Sequence, residues 1–297
     1  MNALLVAWKA SHYLPTPVIR GLAASGAWLG WLKHGTGVRR LEDNLHRVTG
    51  REGRELRRLS RKGMFSVARY YAETLEMSRL PHELIDERVR CQDLEPIHEV
   101  MRSQGRLVIV LGHSGNWDLV GGFTARNVGP VISVAEILKP PEVFHAFLKL
   151  REDLGIRILG HEGPSTFRQL VSIGMREGGI TALLADRDLS GDGVEVDFGG
   201  HTARVAPGPA ALALTLGAPL VPLAVHYERL RGARRKAARS RWGLVMEFGP
   251  FITPPLEGTK HEKVKAMSNA WAAWLSDRIT EHPEDWHMLQ RFGWIDD

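Results

Sequence analysis

Residues 106–118 read RLVIVLGHSGNWD, an unbroken apolar run that passes straight into a polar, glycine-bearing turn. RLVIVL is short, rich in β-branched residues and bounded by an arginine and a glycine, as in a strand buried on both faces. The next segment, NWDLVGGFTARN (116–127), reads as a helix. A buried strand joined by a tight turn to a helix is the opening unit of an α/β sheet. Ligands of such sheets bind beyond the carboxyl ends of the strands. Here that position holds a histidine, a serine and an aspartate.

Strand and helix go on alternating from there. PVISVAE (130–136) reads as a strand, PPEVFHAFLKLREDLG (140–155) as a helix opened by prolines, and IRIL (156–159) as a strand. PSTFRQLVSIGMREGG (164–179) is a helix closed by two glycines, and ITALLAD (180–186) is a strand whose end carries Asp186. VEVDF and HTARV pair across Gly199-Gly200, PGPAALALTLG (207–217) is a short helix, APLVPLAVHYE and WGLVMEFG are strands, and 259–281 is a last helix. The pattern predicts an α/β fold with a mostly parallel central sheet flanked by helices, one domain over 1–297, with an N-terminal helical extension. Residues 39–80 read as helical, because Leu56, Leu59, Gly63, Val67 and Tyr71 recur at spacings of three and four.

Composition narrows the setting. The hydrophobic and charged fractions, 43% and 25%, are those of an ordinary globular protein, and the net charge of +5 suits an anionic membrane surface, a phosphorylated cofactor or nucleic acid without choosing among them. The single cysteine, Cys91, excludes an internal disulfide and a cysteine metal cluster. No apolar run approaches the roughly 18 residues a spanning helix needs, and the N-terminus lacks the basic region of a signal peptide. Residues 1–32 carry Trp8, Trp28 and Trp31 in two apolar segments split by Pro15 and Pro17. Two short helices are expected there, either packed on the core or lying in a membrane interface, where tryptophan is favoured.

The turn admits two chemistries. GHSGN falls one residue short of a G-x-S-x-G nucleophile elbow, with Asn116 in place of the last glycine; an esterase or thioesterase using Ser114 would need a later acid and histidine, such as Asp186 with His226 or His287. The other uses His113 and Asp118, an H-x4-D spacing in which the carboxylate would orient the imidazole and the free ring nitrogen would take a proton from a substrate hydroxyl. Backbone N–H groups at the start of the next helix could hold an oxyanion, Gly115–Asn116 being the first choice. Taken by themselves, Asp186 and Asp188 beside Arg187 read as a surface ion-pair cluster.

HSGNWD resembles the H-x4-D motif of the bacterial lipid A acyltransferase family, in particular its actinobacterial branch of phosphatidylinositol mannoside acyltransferases. VAEILKP (134–140), LREDLG (150–155), LLADRDLSGDGVEVDFGG (183–200), VAPGPAALA (205–213) and PEDWHMLQ (283–290) resemble further blocks of that branch in the same order. The resemblance implies a glycerolipid-acyltransferase-like α/β fold with a groove for an acyl chain, held peripherally on the cytoplasmic face of the membrane, and no metal or cofactor. It implies transfer of a fatty acyl group, typically palmitoyl, from acyl-CoA to a mannose hydroxyl of phosphatidylinositol mannoside. Carried over by position, His113 is the general base, Asp118 its orienting partner, and Glu136 and Arg151 are charged active-site residues. Asp186 stands where the branch has a catalytic glutamate, one methylene longer. Arg151, Arg187 and Arg204 are candidate phosphate ligands through bidentate hydrogen bonds, and Asn116 a candidate substrate contact. A non-enzymatic lipid-binding module that keeps the fold is the rival outside enzymes.

Two stretches stand apart. ERLRGARRKAARSR (228–241) holds seven basic residues and one acidic. It is read as a solvated loop between two strands or as an arm touching anionic lipid. No nucleic-acid motif surrounds it. EDWHMLQRFGW (284–294) is dense in aromatics and is expected to pack on the domain, with His287 as a lesser candidate for a second catalytic histidine.

Overall fold

The computed structural model describes residues 13–295 apart from 78, 138–140, 189, 190 and 192. In chain order the elements are α1 (Thr16–Lys33), α2 (Thr36–Thr49), α3 (Gly53–Met77), α4 (His82–Arg88), β1 (Val89–Cys91), α5 (Glu95–Gln104), β2 (Arg106–Leu111), α6 (Trp117–Asn127), β3 (Val131–Ala135), α7 (Pro141–Asp153), β4 (Ile156–Gly160), α8 (Pro164–Arg176), β5 (Gly179–Leu184), β6 (Val194–Phe198), β7 (His201–Val205), α9 (Gly208–Leu216), β8 (Leu220–Arg229), α10 (Gly232–Ala237), β9 (Trp242–Phe248) and α11 (Lys260–Glu281). A single 3₁₀ turn, Pro283–Asp285, comes after α11.

Seven strands form one sheet in the order β1-β9-β8-β2-β5-β3-β4. β8, β2, β5, β3 and β4 run parallel, and β9 runs antiparallel to β8 with β1 parallel beside it. β6 and β7 form the expected hairpin as a separate antiparallel pair. The sheet is buried on both faces, which is why β2 is apolar at every position after Arg106. Val108 and Val110 pack on one side with α9 and α11, through Leu212, Trp271 and Leu275. Leu107, Ile109 and Leu111 pack on the other with α4, α6 and α7, through Ile85, Leu119 and Leu150.

The structure refines the helical expectations. The stretch 39–80 is two helices, because Gly50 takes a left-handed conformation, φ 65°, and ends α2. Pro15 and Pro17 stand at the opening of α1, as the fixed φ and missing N–H of proline suit a first turn. A helix before Pro15 would fall mostly on residues 1–12, outside the described residues. The basic stretch is the connection between β8 and β9, and it carries the short helix α10.

The register of β2 against β5 brings two distant polar segments to one edge of the sheet. Leu107 pairs with Ile180 and Leu111 with Leu184, so the two chains leave the sheet together at its carboxyl edge. Two residues beyond Leu111 is His113, and two beyond Leu184 is Asp186.

Candidate active site

At that edge lies a cleft of about 240 Å³, walled by His113, Trp117, Glu136, Arg151 and Arg187, with Tyr70 and Tyr71 contributed by α3. Gly115 shapes the turn that carries His113. Its φ is +58°, and a Cβ there would stand 2.8 Å from Val225 Cγ1 and 3.0 Å from the Val225 carbonyl oxygen. Only glycine gives both the left-handed conformation and that approach.

His113 is gripped by Asp186. Its backbone N–H donates to Oδ2 at 2.8 Å, and its ring Nδ1 lies 2.6 Å from Oδ1. Trp286 adds a third donor, Nε1–H to Oδ2 at 3.0 Å. Burial by itself would raise the Asp186 carboxyl, but the imidazole and these donors outweigh it and hold the group below its ordinary value. With Nδ1–H directed at the carboxylate, Nε2 is the basic nitrogen, and it meets no partner among the described residues. The side chain of His113 is 31% exposed while that of Asp186 is fully buried. The expectation that Asp118 orients His113 is therefore corrected, as is the view of Asp186 as part of a surface ion-pair cluster.

Asp118 does something else. It sits in the first turn of α6, fully buried, and accepts from Arg151 Nε at 2.7 Å and from the Tyr70 hydroxyl at 2.9 Å. Arg151 comes from α7 and lies over the Trp117 ring, 4.5 Å from its centroid. Burial would lower the Arg151 guanidinium, but Asp118 and Tyr70 outweigh it and keep the cation firmly charged. Burial, then Asp118, pushes the Tyr70 phenol well above its ordinary value, so it stays a donor. The motif's two ends thus serve different partners: the histidine a carboxylate just beyond β5, the aspartate a cation on the cleft wall.

Glu136 and Arg187 both line the cleft, 3.9 Å apart. Arg204 does not. It faces Glu195 across the β6–β7 hairpin at 3.0 Å and lines a separate depression, which Arg187 borders as well. Asn116 is also placed differently from expectation. It is fully buried, accepts from Leu119 N–H to cap α6, and donates to Glu73 at 2.8 Å, so it braces the turn from beneath. The Gly115 N–H donates to the Asp285 carbonyl at 2.9 Å and is not free for an oxyanion.

The serine-nucleophile arrangement is not formed. Ser114 Oγ is buried and makes no hydrogen bond with a described residue, and Asp186 bonds His113 rather than His226 or His287. His226 stacks on His282 with centroids 3.7 Å apart. His287 is half-buried, with Nε2 2.9 Å from Ser66 Oγ. Its backbone N–H donates to the His113 carbonyl at 2.8 Å, so the C-terminal aromatic segment packs behind the turn and supports it. Two contributors were not singled out in the sequence: Tyr70, one position in a helix, and the Trp286 indole, whose block PEDWHMLQ was noted without a role for the ring.

Beneath Trp117 and Leu184 the cleft gives way to an apolar cavity of about 30 Å³ between the sheet and α6, lined by Ile109, Leu111, Val120, Gly121 and Ile156. Trp117 and Leu184 border both spaces.

Burial sets a pH dependence. It pushes the His287 imidazole down to about 3, with Arg69 and His113 adding to the effect, and the His226 imidazole down to about 4. An unfolded histidine titrates near 6.5, so below about pH 6.5 the unfolded chain binds protons that the folded chain refuses, and stability falls with pH. Asp285, raised by burial to about 6, opposes part of this because its folded form takes up a proton first as pH falls toward about 4. His287→Gln should flatten the dependence of the urea midpoint on pH between about 6.5 and 5. An unchanged slope would contradict the neutral imidazole.

The sequence pattern of the bacterial lipid A biosynthesis acyltransferases matches residues 2–292, so the chain belongs to that family and is an O-acyltransferase. It is 31% identical over 294 residues to a phosphatidylinositol mannoside acyltransferase of Mycolicibacterium smegmatis, spanning 98% of this chain and 90% of the relative. To a phosphatidylinositol mannoside acyltransferase of Mycobacterium tuberculosis it is 32% identical over 294 residues, spanning 97% and 86%. Among solved structures, the 1-acyl-sn-glycerophosphate acyltransferase PlsC of Thermotoga maritima matches 88% of this chain and 97% of its own at 13% identity, with a TM-score of 0.38, too loose a likeness to bear on the site.

Proposed function

We propose that this chain transfers a long fatty acyl group, palmitoyl in the first instance, from acyl-CoA to a mannose hydroxyl of phosphatidylinositol mannoside, with His113 as general base. One observation carries the mechanism: His113 Nδ1 is 2.6 Å from a buried carboxylate, which leaves Nε2 as a base in a cleft that borders an apolar cavity. Nε2 takes the hydroxyl proton while the sugar oxygen bonds to the thioester carbonyl carbon. The tetrahedral oxyanion collapses, the carbon–sulfur bond breaks, and the imidazolium returns its proton to the departing thiolate. Asp186 stabilises the imidazolium between these steps. Arg151, aligned by Asp118, supplies the cation facing the oxyanion, in place of the Gly115 N–H. Glu136 and Arg187 are proposed to contact the sugar and the donor's phosphates respectively. No metal or cofactor enters this scheme.

Membrane attachment is proposed to be peripheral, at the cytoplasmic face. Among the described residues no helix is long and apolar enough to cross a bilayer. Helix α1 instead exposes Val18, Leu22, Leu29 and Leu32 along one stripe with Trp28 beside it, as in a helix lying in an interface.

Incubating the purified chain with palmitoyl-CoA and mannosylated phosphatidylinositol should yield, by mass spectrometry, a lipid with one added palmitoyl on mannose. Absence of any acylated glycolipid across a panel of acceptors would overturn the reading.

A further inference from the structure

A second pocket, of about 360 Å³, lies between α1, α3 and β9 and shares no lining residue with the His113 cleft. Its apolar wall is Ala24, Phe65, Ala68 and Ala72; its charged wall is Arg20, Arg69 and Glu73. Two of these charges have partners. Arg20 forms a two-point pair with Glu76, 2.9 and 2.7 Å. Glu73 accepts from Asn116 and Tyr227, and burial raises its carboxyl above the ordinary value, which weakens it as a counter-ion.

Arg69 is held differently. Its guanidinium lies 3.6 Å from the centroid of Trp242 and 4.4 Å from that of Tyr227, so aromatic rings fix the cation. No hydrogen bond or ion pair with a described residue takes up its N–H donors. The guanidinium edge is the part that matches a phosphate. A held cation with open donors, beside a wall of small apolar side chains, fits an amphiphile with an anionic head. The surrounding surface fits the same ligand, because α1, which supplies Arg20 and Ala24, is the helix that exposes Leu22, Leu29 and Leu32 on another face.

We propose that this pocket is a second lipid site, taking the phosphate headgroup of an anionic membrane phospholipid on Arg69 and laying its glycerol and first methylenes along Ala24, Phe65, Ala68 and Ala72. The site fixes the extension on an anionic leaflet through one specific headgroup in addition to the apolar stripe. It goes beyond the acyl-transfer reading and does not depend on which glycolipid is the acceptor.

The test is calorimetric titration of the full-length protein with dihexanoyl-phosphatidylglycerol, dihexanoyl-phosphatidylcholine and inorganic phosphate, all below micelle formation. The phosphatidylglycerol should bind saturably and at least about tenfold more tightly than either of the others, because the trimethylammonium of phosphatidylcholine offsets its phosphate charge and inorganic phosphate has nothing to lay on the apolar wall. Arg69→Gln should weaken it by a similar factor. Ala24→Phe, which fills the pocket from α1 and leaves Arg69 in place, should do the same and decides the matter if Arg69→Gln proves unfolded by circular dichroism. Phosphatidylcholine bound as tightly as phosphatidylglycerol would overturn the proposal. So would inorganic phosphate bound as tightly, which would mark a free-anion site, or Ala24→Phe that binds like the unaltered chain.

Discussion

Replacing His113 by alanine should lower acyl transfer by about 10²- to 10⁴-fold, the range of general-base assistance, with the circular dichroism spectrum unchanged. The fold should tolerate the change because the ring is partly exposed in the cleft while its backbone N–H still serves Asp186. Asp186→Asn should cost a similar factor for another reason. A carboxamide can donate to Nδ1, which favours the tautomer with its proton on Nε2, where the base is needed. Trp286→Phe removes one of three donors to the same carboxylate and should cost less. Because base and orienting group act as one unit, the double variant of His113 and Asp186 should be scarcely slower than His113→Ala alone. Turnover numbers with saturating donor check this. Strictly multiplicative losses, or less than a tenfold effect at His113, would remove the imidazole from the proposed mechanism.

The second large effect is expected at Asp118, and its form separates the two carboxylates. Asp118→Asn leaves the Arg151 guanidinium buried without its counter-charge. Breaking such a pair from one side costs about 3–5 kcal/mol. Urea denaturation should show that loss, and transfer should fall at least about a hundredfold as the proposed oxyanion partner loses its alignment. Adding Arg151→Met removes the orphaned charge, so the double variant should regain part of the stability without regaining activity. The pH–rate profile is the discriminating readout. Asp186→Asn should displace the limb that reports the base, and Asp118→Asn should leave its position unchanged while lowering its height. A displaced limb in the Asp118 variant would return that carboxylate to the imidazole.

The architecture was legible where burial is local and periodic. RLVIVL announces a strand covered on both faces, and the prolines and glycines around the later helices mark their ends. The turn after β2 was legible as the place where chemistry gathers, since the carboxyl edge of a parallel sheet is where loops converge. The roles of Asp118, Asn116 and Arg204 were assigned from spacing, family position and residue type, and the structure places each of them differently. Asp118 and His113 are close along the chain, but α6 turns the aspartate toward Arg151 and Tyr70. Asn116 is taken by helix capping and by Glu73, and Arg204 belongs to a hairpin outside the main sheet.

The amino-acid order alone determined the class of fold, the family, and the presence of a histidine and two aspartates in strand-end and helix-start segments, because these come from local periodicity and contiguous motifs. Which acid meets the histidine was decided only by tertiary structure. The pairing of β2 with β5 brings Asp186 beside His113 across a long stretch of intervening chain, and α3, α7 and the C-terminal segment then supply Tyr70, Arg151 and Trp286. Register between distant strands depends on how the whole core closes, and no short window of sequence carries that information.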